Sequence, residues 1–498
     1  MLTTAVLTHD ANATGRGHSP HANSVAHYYA EADDYYYKEG HATEWEGKGA
    51  EALGLAGPVN QEQFRDMLLG KLPNGETIAT TFDQDNSKRM GVDLTFSAPK
   101  SVSIQALIGG DTRVIAAHDL AVSRALEYAE TLAVARRKTK GKSVREATGN
   151  MVFAKFRHDL SRLKDPQLHT HAIALNMTQR SDGQWRALNN EALLKQTKLI
   201  GAAYRAELAS ELQQLGYSIR VTDQDGAFEL DHISRDQLEA FSQRSKVIED
   251  ALANEGKTRA TATSLEKRVI ALATRNRKED LDKEVLQQYW QEKSRELGLN
   301  LSRPAASHEN ASSAEHSHVL PKSQNAKEAV AFAVQHLTER QSVMREHELI
   351  TTAVQHAVGR TTPKAVREEI QSQIKTGYLI EEQPRYRKAD SVSTDTGRTD
   401  QEWVKELETK NNMPRKLAKA YVADAIAEGR LVKSAPRYTT QTALTREKSI
   451  LKLEREGRST VAPIMPASLV QQQLATSDLN QGQRNAVTVL LGSDNRFS

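Results

Sequence analysis

Residues two apart on a β-strand project from the same face, so the run DPQLHTHAIALN presents His169 and His171 side by side, ahead of Ile173, Leu175 and Met177. Two imidazoles so placed can share one ion. His158 closes the preceding apolar run, on the parity of Val152, Ala154 and Phe156. If these two strands pair antiparallel across Asp159 to Leu168, a third imidazole joins the first two. Three neutral nitrogen donors leave coordination positions open, as catalytic rather than structural metal sites do. An H-x-H pattern alone describes two half-buried polar residues, and the chain has 16 histidines. The third histidine and Asp93 shift the balance toward a site. Asp93 lies on the polar face of a neighbouring strand, opposite Leu94 and Phe96, where a carboxylate can fix an imidazole tautomer or take a proton from a nucleophile. A solvated aspartate is the alternative for Asp93 taken by itself.

Five of the 13 tyrosines fall in HYYAEADDYYY, at Tyr28, Tyr29, Tyr35, Tyr36 and Tyr37. On a helix Tyr28 shares a face with Tyr35, and Tyr29 with Tyr36. A core stripe is the ordinary explanation of such spacing. Here the neighbours Glu31, Asp33, Asp34, Lys38 and Glu39 are charged and no aliphatic residues share the pattern. Exposed phenols near a metal suggest another chemistry: a phenolate attacks a phosphodiester and stores its energy in a phosphotyrosine link, with a cation neutralising the phosphate.

The elements that must position these groups follow from periodicity. Val92 to Ala98, Met151 to His158 and His169 to Thr178 alternate as strands. Val114 to Val134 has apolar residues at Val114, Ala117, Ala121, Ala125, Ala129 and Leu132, a helical period that begins after Gly109-Gly110-Asp111. Strands interleaved with helices, one face apolar and the other polar, predict an α+β fold with an antiparallel sheet covered on one side.

Composition sets the outer bounds. In 498 residues there is no cysteine, which excludes disulfides, thiolate nucleophiles, iron-sulfur ligation and cysteine-based zinc fingers. Any metal must be held by His, Asp or Glu. No apolar run reaches the length of a membrane span and the N-terminus lacks a signal-peptide pattern, so a cytoplasmic protein without membrane insertion is expected. A net charge of +3 does not announce nucleic-acid binding, but Arg136, Arg137, Lys138, Lys140, Lys142 and Arg145 lie within ten residues and offer phosphate contacts. A charged hairpin tip is the alternative for that cluster.

These residues resemble a known family, the MobF-type conjugative relaxases of the TraI/TrwC-like relaxase-helicase group. The resemblance rests on the paired N-terminal tyrosines, EWEGKGAEALGL (Glu44 to Leu55), DLTFSAPKSVS (Asp93 to Ser103) and FRHDLSRLKDPQLHTHAIALN (Phe156 to Asn176), in that order. It implies an HUH-type palm, an antiparallel sheet flanked by helices. It implies that His158, His169 and His171 bind a divalent metal, that Tyr28 is the first nucleophile, and that Asp93 orients a ligand and helps deprotonate the phenol. Tyr36, ahead of Tyr35, is expected to perform a second strand transfer, with Tyr29 the other member of the first pair; Arg162 joins the DNA-binding candidates. The implied reaction is transesterification of single-stranded DNA at a plasmid origin of transfer, leaving a 5′-phosphotyrosine and a free 3′ hydroxyl. The family implies magnesium or manganese, whereas all-nitrogen ligation by itself suggests zinc or another late transition metal. Relaxosome accessory proteins, a type IV secretion coupling protein and passage with DNA into a recipient cell are further implications.

Departures from the family pattern are a triple tyrosine in place of a pair and a long HDANATGRGHSPHANSVAH approach to Tyr28. A rolling-circle replication initiator shares the metal chemistry, but its nucleophile typically follows the HUH strand, whereas these tyrosines precede it. A non-catalytic single-stranded DNA-binding remnant would keep the metal and the DNA without forming a covalent adduct. A hydrolase of small phosphoesters would use the histidines but has no need of the tyrosine cluster.

Composition shifts divide the chain, and the resemblance names the parts: a relaxase domain (1–301), a linker (302–325), a helical, winged-helix-like segment (326–386), a second linker (387–401), a similar segment (402–440) and the start of a helicase domain (441–498). IKTGYLIEE and IAEGRLVKS repeat the same helix-stop glycine and short strand. Near the end, SDLNQGQRNAVTVLLGSDNRFS resembles the approach to the family's motor, with Gln483 where such helicases contact adenine. No P-loop is present: GKS at Gly141 has Arg136 five residues earlier and GKT at Gly256 has Ala251. A relaxase-helicase truncated before its motor, without ATPase activity, is the expectation.

Overall fold

The computed structural model describes residues 1–10, 43–78, 87–139, 142–161, 163–258, 261–263, 266, 270, 283–304, 322–388 and 397–495. They form two compact units, one of 1–333, 347–369 and 383–435, the other of 334–346, 370–382 and 436–498.

The first unit is built on strands β1 (Leu2–Asp10), β2 (Thr43–Glu46), β3 (Ser87–Ser97), β4 (Val134–Thr139), β5 (Lys142–Ala147), β6 (Phe153–Leu160) and β7 (Pro166–Leu175). Five of them make one antiparallel sheet in the order β1-β3-β7-β6-β2, while β4 and β5 pair with each other as a separate ribbon. The histidine strands are therefore neighbours, and β3 with Asp93 flanks them on the other side.

Both faces of the sheet are covered, where alternation predicted one. On the face of His169 and His171, the row continues through Ile173 and Leu175 into an apolar cluster with Trp45, Phe64, Met67 and Phe156. Helices α1 (Lys48–Ala52) and α2 (Gln61–Leu68) close it, with Phe64 ringed by Trp45 and Phe156 at 6.3 and 5.2 Å between centroids. After α3 (Lys100–Leu107), the opposite face carries α4 (Thr112–Glu130) and α5 (Thr197–Gln214). Their alanines, among them Ala117, Ala121, Ala125, Ala202 and Ala206, are buried, as are Ala172 and Ala174 beneath them. Small side chains on β7 and the two helices let these layers approach closely, while Leu94 and Phe96 of β3 fill the same face, Phe96 lying 5.3 Å from the Tyr204 ring between centroids.

Helix α4 starts where expected, capped by the Asp111 carboxylate on Arg113 N–H, but ends at Glu130 rather than Val134, which opens β4. At that end the Glu130 carboxylate accepts from the backbone N–H of Lys48 at 2.8 Å and of Met151 at 2.9 Å, tying α1 to the start of β6. Gly47 makes that junction possible. Its φ is 101° and a Cβ there would meet the Met151 carbonyl at 2.5 Å.

Beyond the palm, most of linker 302–325 lies outside the described residues, and a helix begins at Lys322. Short strands β8 (Thr178–Gln179), β9 (Trp185–Arg186), β10 (Ile219–Val221) and β11 (Phe228–Leu230) pair in two hairpins. The remaining strands are β12 (Met344–Arg345), β13 (Leu379–Glu381), β14 (Arg385–Lys388), β15 (Arg398–Thr399), β16 (Leu431–Lys433) and β17 (Arg437–Thr440). They form two three-stranded sheets, β12-β17-β13 in the second unit and β15-β14-β16 in the first. The two glycine-stop repeats supply β13 and β16, and the second sheet is inserted in the chain between β13 and β17. Around it, Trp403, Val404, Ala418, Val422 and Leu431 form a small core of their own. Gln483 is the N3 residue of a capping box with Asn480 at the start of helix Gln481–Gly492. Among the described residues no helix is long and apolar enough to cross a membrane.

Candidate active site

The register of β6 and β7 sets His158 directly opposite His169, and β3 sets Thr95 opposite His171. Three imidazoles meet at one end of the buried row, with ring centroids 5.1 to 5.3 Å apart and one potential ligand atom from each within 4.8 Å of the others. Among the described residues this is the one group of three or more His, Asp or Glu side chains so arranged.

Two of the rings are oriented by hydrogen bonds from Nδ1. His169 donates to the Gln167 carbonyl at 2.9 Å, and His171 lies 2.9 Å from Asp93 Oδ2 and 3.1 Å from Thr95 Oγ1. Thr95 in turn donates to Asp93 Oδ1 at 3.1 Å. A ring that donates from Nδ1 carries its lone pair on Nε2, the tautomer needed by a metal ligand. Burial, reinforced by His158 and His171, holds the His169 pKa well below the ordinary imidazole range, so the ring is neutral. A donor set of three converging imidazoles backed by a carboxylate fits a divalent cation.

Asp93 was legible from alternation, but it is buried, 5% exposed, rather than solvated. Thr95, two residues on and on the same face, was missed, and strand parity from Asp93 would have found it. Tyr28, Tyr29, Tyr35, Tyr36 and Tyr37 lie outside the described residues, as do Lys140 and Arg162. Of the basic cluster, Arg136 and Arg137 stand on β4 and Lys138 and Lys142 on the backbone near the tip of the β4-β5 ribbon. Arg136 is exposed, whereas Arg145, its cross-strand partner, is drawn into a 2.9 Å ion pair with Glu191. The described members of the cluster thus lie on a two-stranded hairpin ribbon, with Arg145 committed to the scaffold.

An antiparallel palm that gathers a carboxylate-backed trio of histidines on two adjacent strands defines a metal-dependent HUH-type site. Comparison with known proteins then narrows the class. The family model described as TrwC relaxase matches residues 22–297, and the chain belongs to that family. It is 39% identical over 290 residues to the multifunctional conjugation protein TraI of Escherichia coli, and equally to that of Escherichia coli strain K12; the match covers 56% of this chain. The chain spans 16% of the length of those curated relatives. Among solved structures it resembles a copper-bound conjugative relaxase TrwC in complex with oriT DNA, at 48% identity and a TM-score of 0.56. TrwC complexed with a 27-mer DNA comprising the recognition hairpin and the cleavage site matches at 46% identity and a TM-score of 0.54. Each match covers 61% of this chain and the whole of the other.

Proposed function

We propose that this chain is a conjugative relaxase that nicks one DNA strand at a plasmid origin of transfer by metal-assisted tyrosine transesterification. The observation that carries the reading is the convergence of His158, His169 and His171 with Asp93 behind His171. Those three histidines would hold the divalent cation, for which magnesium or manganese is the family's choice. When bound, the cation supplies positive charge to the scissile phosphate.

In the reaction the Tyr28 phenolate oxygen bonds to phosphorus, the bond from phosphorus to O3′ breaks, and O3′ leaves with a proton as a free hydroxyl. The 5′ phosphate stays on the tyrosine. Asp93 orients His171, supported by the acceptance of both its oxygens from His171 and Thr95; its part in deprotonating the phenol is carried over from the family resemblance. Reversal by the 3′ hydroxyl, or attack by a second tyrosine, Tyr36 ahead of Tyr35, ends transfer. The β4-β5 ribbon, through Arg136, Arg137, Lys138 and Lys142, contacts DNA phosphates, with Lys140 and Arg162 as the further phosphate-binding candidates. The width of a two-stranded ribbon suits the major groove of a duplex hairpin.

We assign 1–301 to the relaxase domain, 326–386 and 402–440 to helical, winged-helix-like segments, and 441–498 to the approach to a helicase motor. No P-loop occurs in the 498 residues, and ATP hydrolysis by this chain is not expected; DNA-stimulated hydrolysis would overturn that. The cytoplasm is the proposed compartment, with relaxosome accessory proteins and a secretion coupling protein as partners.

The test uses single-stranded oligonucleotides tiled over an adjoining origin of transfer, with magnesium or manganese, and reads covalent adducts on denaturing gels and by peptide mass spectrometry. A metal-dependent adduct on Tyr28, lost in Tyr28→Phe and His169→Ala, supports the reading. An adduct on Tyr35 or Tyr36 keeps the reaction and reassigns the roles. Metal and DNA binding without any adduct, while an intact homologue is active on the same DNA, points to a binding remnant.

A further inference from the structure

His169 donates its Nδ1–H to the Gln167 carbonyl, so the direction of that carbonyl decides which imidazole nitrogen keeps its lone pair. The Gln167 carbonyl and the Leu168 N–H belong to one planar peptide group. The Leu168 N–H donates to Ser103 Oγ at 3.0 Å. Ser103 is fully buried, and its own hydroxyl donates to the Pro99 carbonyl at 3.1 Å, which turns its lone pairs toward Leu168. A single peptide plane is held at its N–H end by Ser103 and holds His169 at its oxygen end.

The flanking peptide groups are fixed from the same segment. Lys100 Nζ donates to the Pro166 carbonyl at 2.9 Å, and Ala98 N–H donates to the Leu168 carbonyl at 3.0 Å. The stretch Asp93 to Ser103 thus grips both metal strand histidines: its strand end touches His171 directly, and its helix end reaches His169 through the backbone.

We propose that Ser103 and Lys100 are positioning residues for the metal ligand His169, fixing the Pro166–Leu168 backbone so that His169 presents Nε2 to the cation. The inference rests on the metal reading of the three histidines. It distinguishes Lys100 from a lysine that grips a DNA phosphate, which would leave metal affinity without DNA unchanged.

The test compares the full chain with Ser103→Cys, Lys100→Met and Lys100→Arg, without DNA. Mn2+ affinity is measured by calorimetry, and the imidazole tautomers of the metal-free protein by 15N NMR. Ser103→Cys keeps the side-chain shape at slightly greater volume and weakens the acceptor, and Lys100→Met removes the donor. Each is expected to weaken Mn2+ binding ~3- to 10-fold, less than the loss of a partner in direct contact with a ligand. Each also raises the Nε2–H tautomer at His169 and leaves His171 unchanged. Lys100→Arg, which keeps a charged donor, restores both. Folded Ser103→Cys and Lys100→Met proteins with unchanged affinity and unchanged His169 tautomer would overturn the proposal, as would a Lys100→Met defect confined to DNA binding. If Ser103→Cys does not fold, the Lys100 pair decides. If the unsubstituted protein binds no Mn2+, the metal reading fails separately, and the tautomer measurement still tests the positioning.

Discussion

The two faces of the central sheet both carry histidine, buried on one and half-buried on the other, and they use it in opposite ways. On the helix-covered face His118 spends both ring nitrogens, Nδ1 on the Tyr204 hydroxyl at 2.8 Å and Nε2 on Thr170 Oγ1 at 2.9 Å. Thr170 stands on β7 between His169 and His171, pointing the other way. Around it Lys155 pairs with Glu44 and Glu46, and Arg157 with Asp119, so that the charged groups of that face close on one another. On the other face Nδ1 of His169 and of His171 is committed and the rings converge on a common point. A histidine whose two nitrogens are both spent on fixed scaffold partners is a brace; one oriented through Nδ1 and converging with two other imidazoles is a ligand.

The contrast breaks most visibly at His169. His169→Ala should lower metal-dependent adduct formation roughly 1000-fold, since the cation's contribution is several kcal/mol of charge stabilisation, while His118→Gln should leave the adduct rate within a few-fold. Single-turnover assays on the same oligonucleotide compare them, and equal losses would erase the distinction between brace and ligand. Asp93→Asn should weaken Mn2+ binding ~10- to 100-fold by offering His171 the wrong partner, as calorimetry will read.

The helix-side face should answer to pH instead. Burial, with Arg157 adding to it, pushes the His118 pKa down to about 3. The unfolded chain takes up that proton at the ordinary imidazole pKa of about 6.5, so the contribution to stability is complete above that value and is lost as pH falls toward 3, by at most about 1.4 kcal/mol per pH unit. Urea unfolding at pH 7, 6 and 5 should show a shallower decline in His118→Gln than in the unsubstituted protein; parallel slopes would remove His118 from the account. The smallest effect is expected on the ribbon, where Arg136→Glu with Arg137→Glu should lower the salt slope of DNA binding by ~1 to 2.

Much of the site was readable because strands have a period of two. His158, His169, His171 and Asp93 followed from parity and from one assumed pairing, and the register of β6 against β7 supplies that pairing. The second covered face carries Leu94 and Phe96 from β3, but along β7 it shows only Thr170, Ala172 and Ala174, which look neutral to a hydrophobic pattern, so alternation on that strand reveals one apolar face. Glu130 was invisible for a different reason: its partners Lys48 and Met151 come from two distant segments, and no spacing in the sequence joins them. Ser103 belonged to a motif known only as a string, and its use emerges once the Leu168 peptide lies against it.

The nesting of the two small sheets sets an order of assembly. Strand β17 forms hydrogen bonds to both β12 and β13, yet it is made after the whole of the β14-β15-β16 sheet. During synthesis the inner sheet has all its strands once Lys433 emerges, while the outer one waits, its edges unpaired, for Tyr438. Folding in the order of emergence therefore runs from the inner sheet to the outer one.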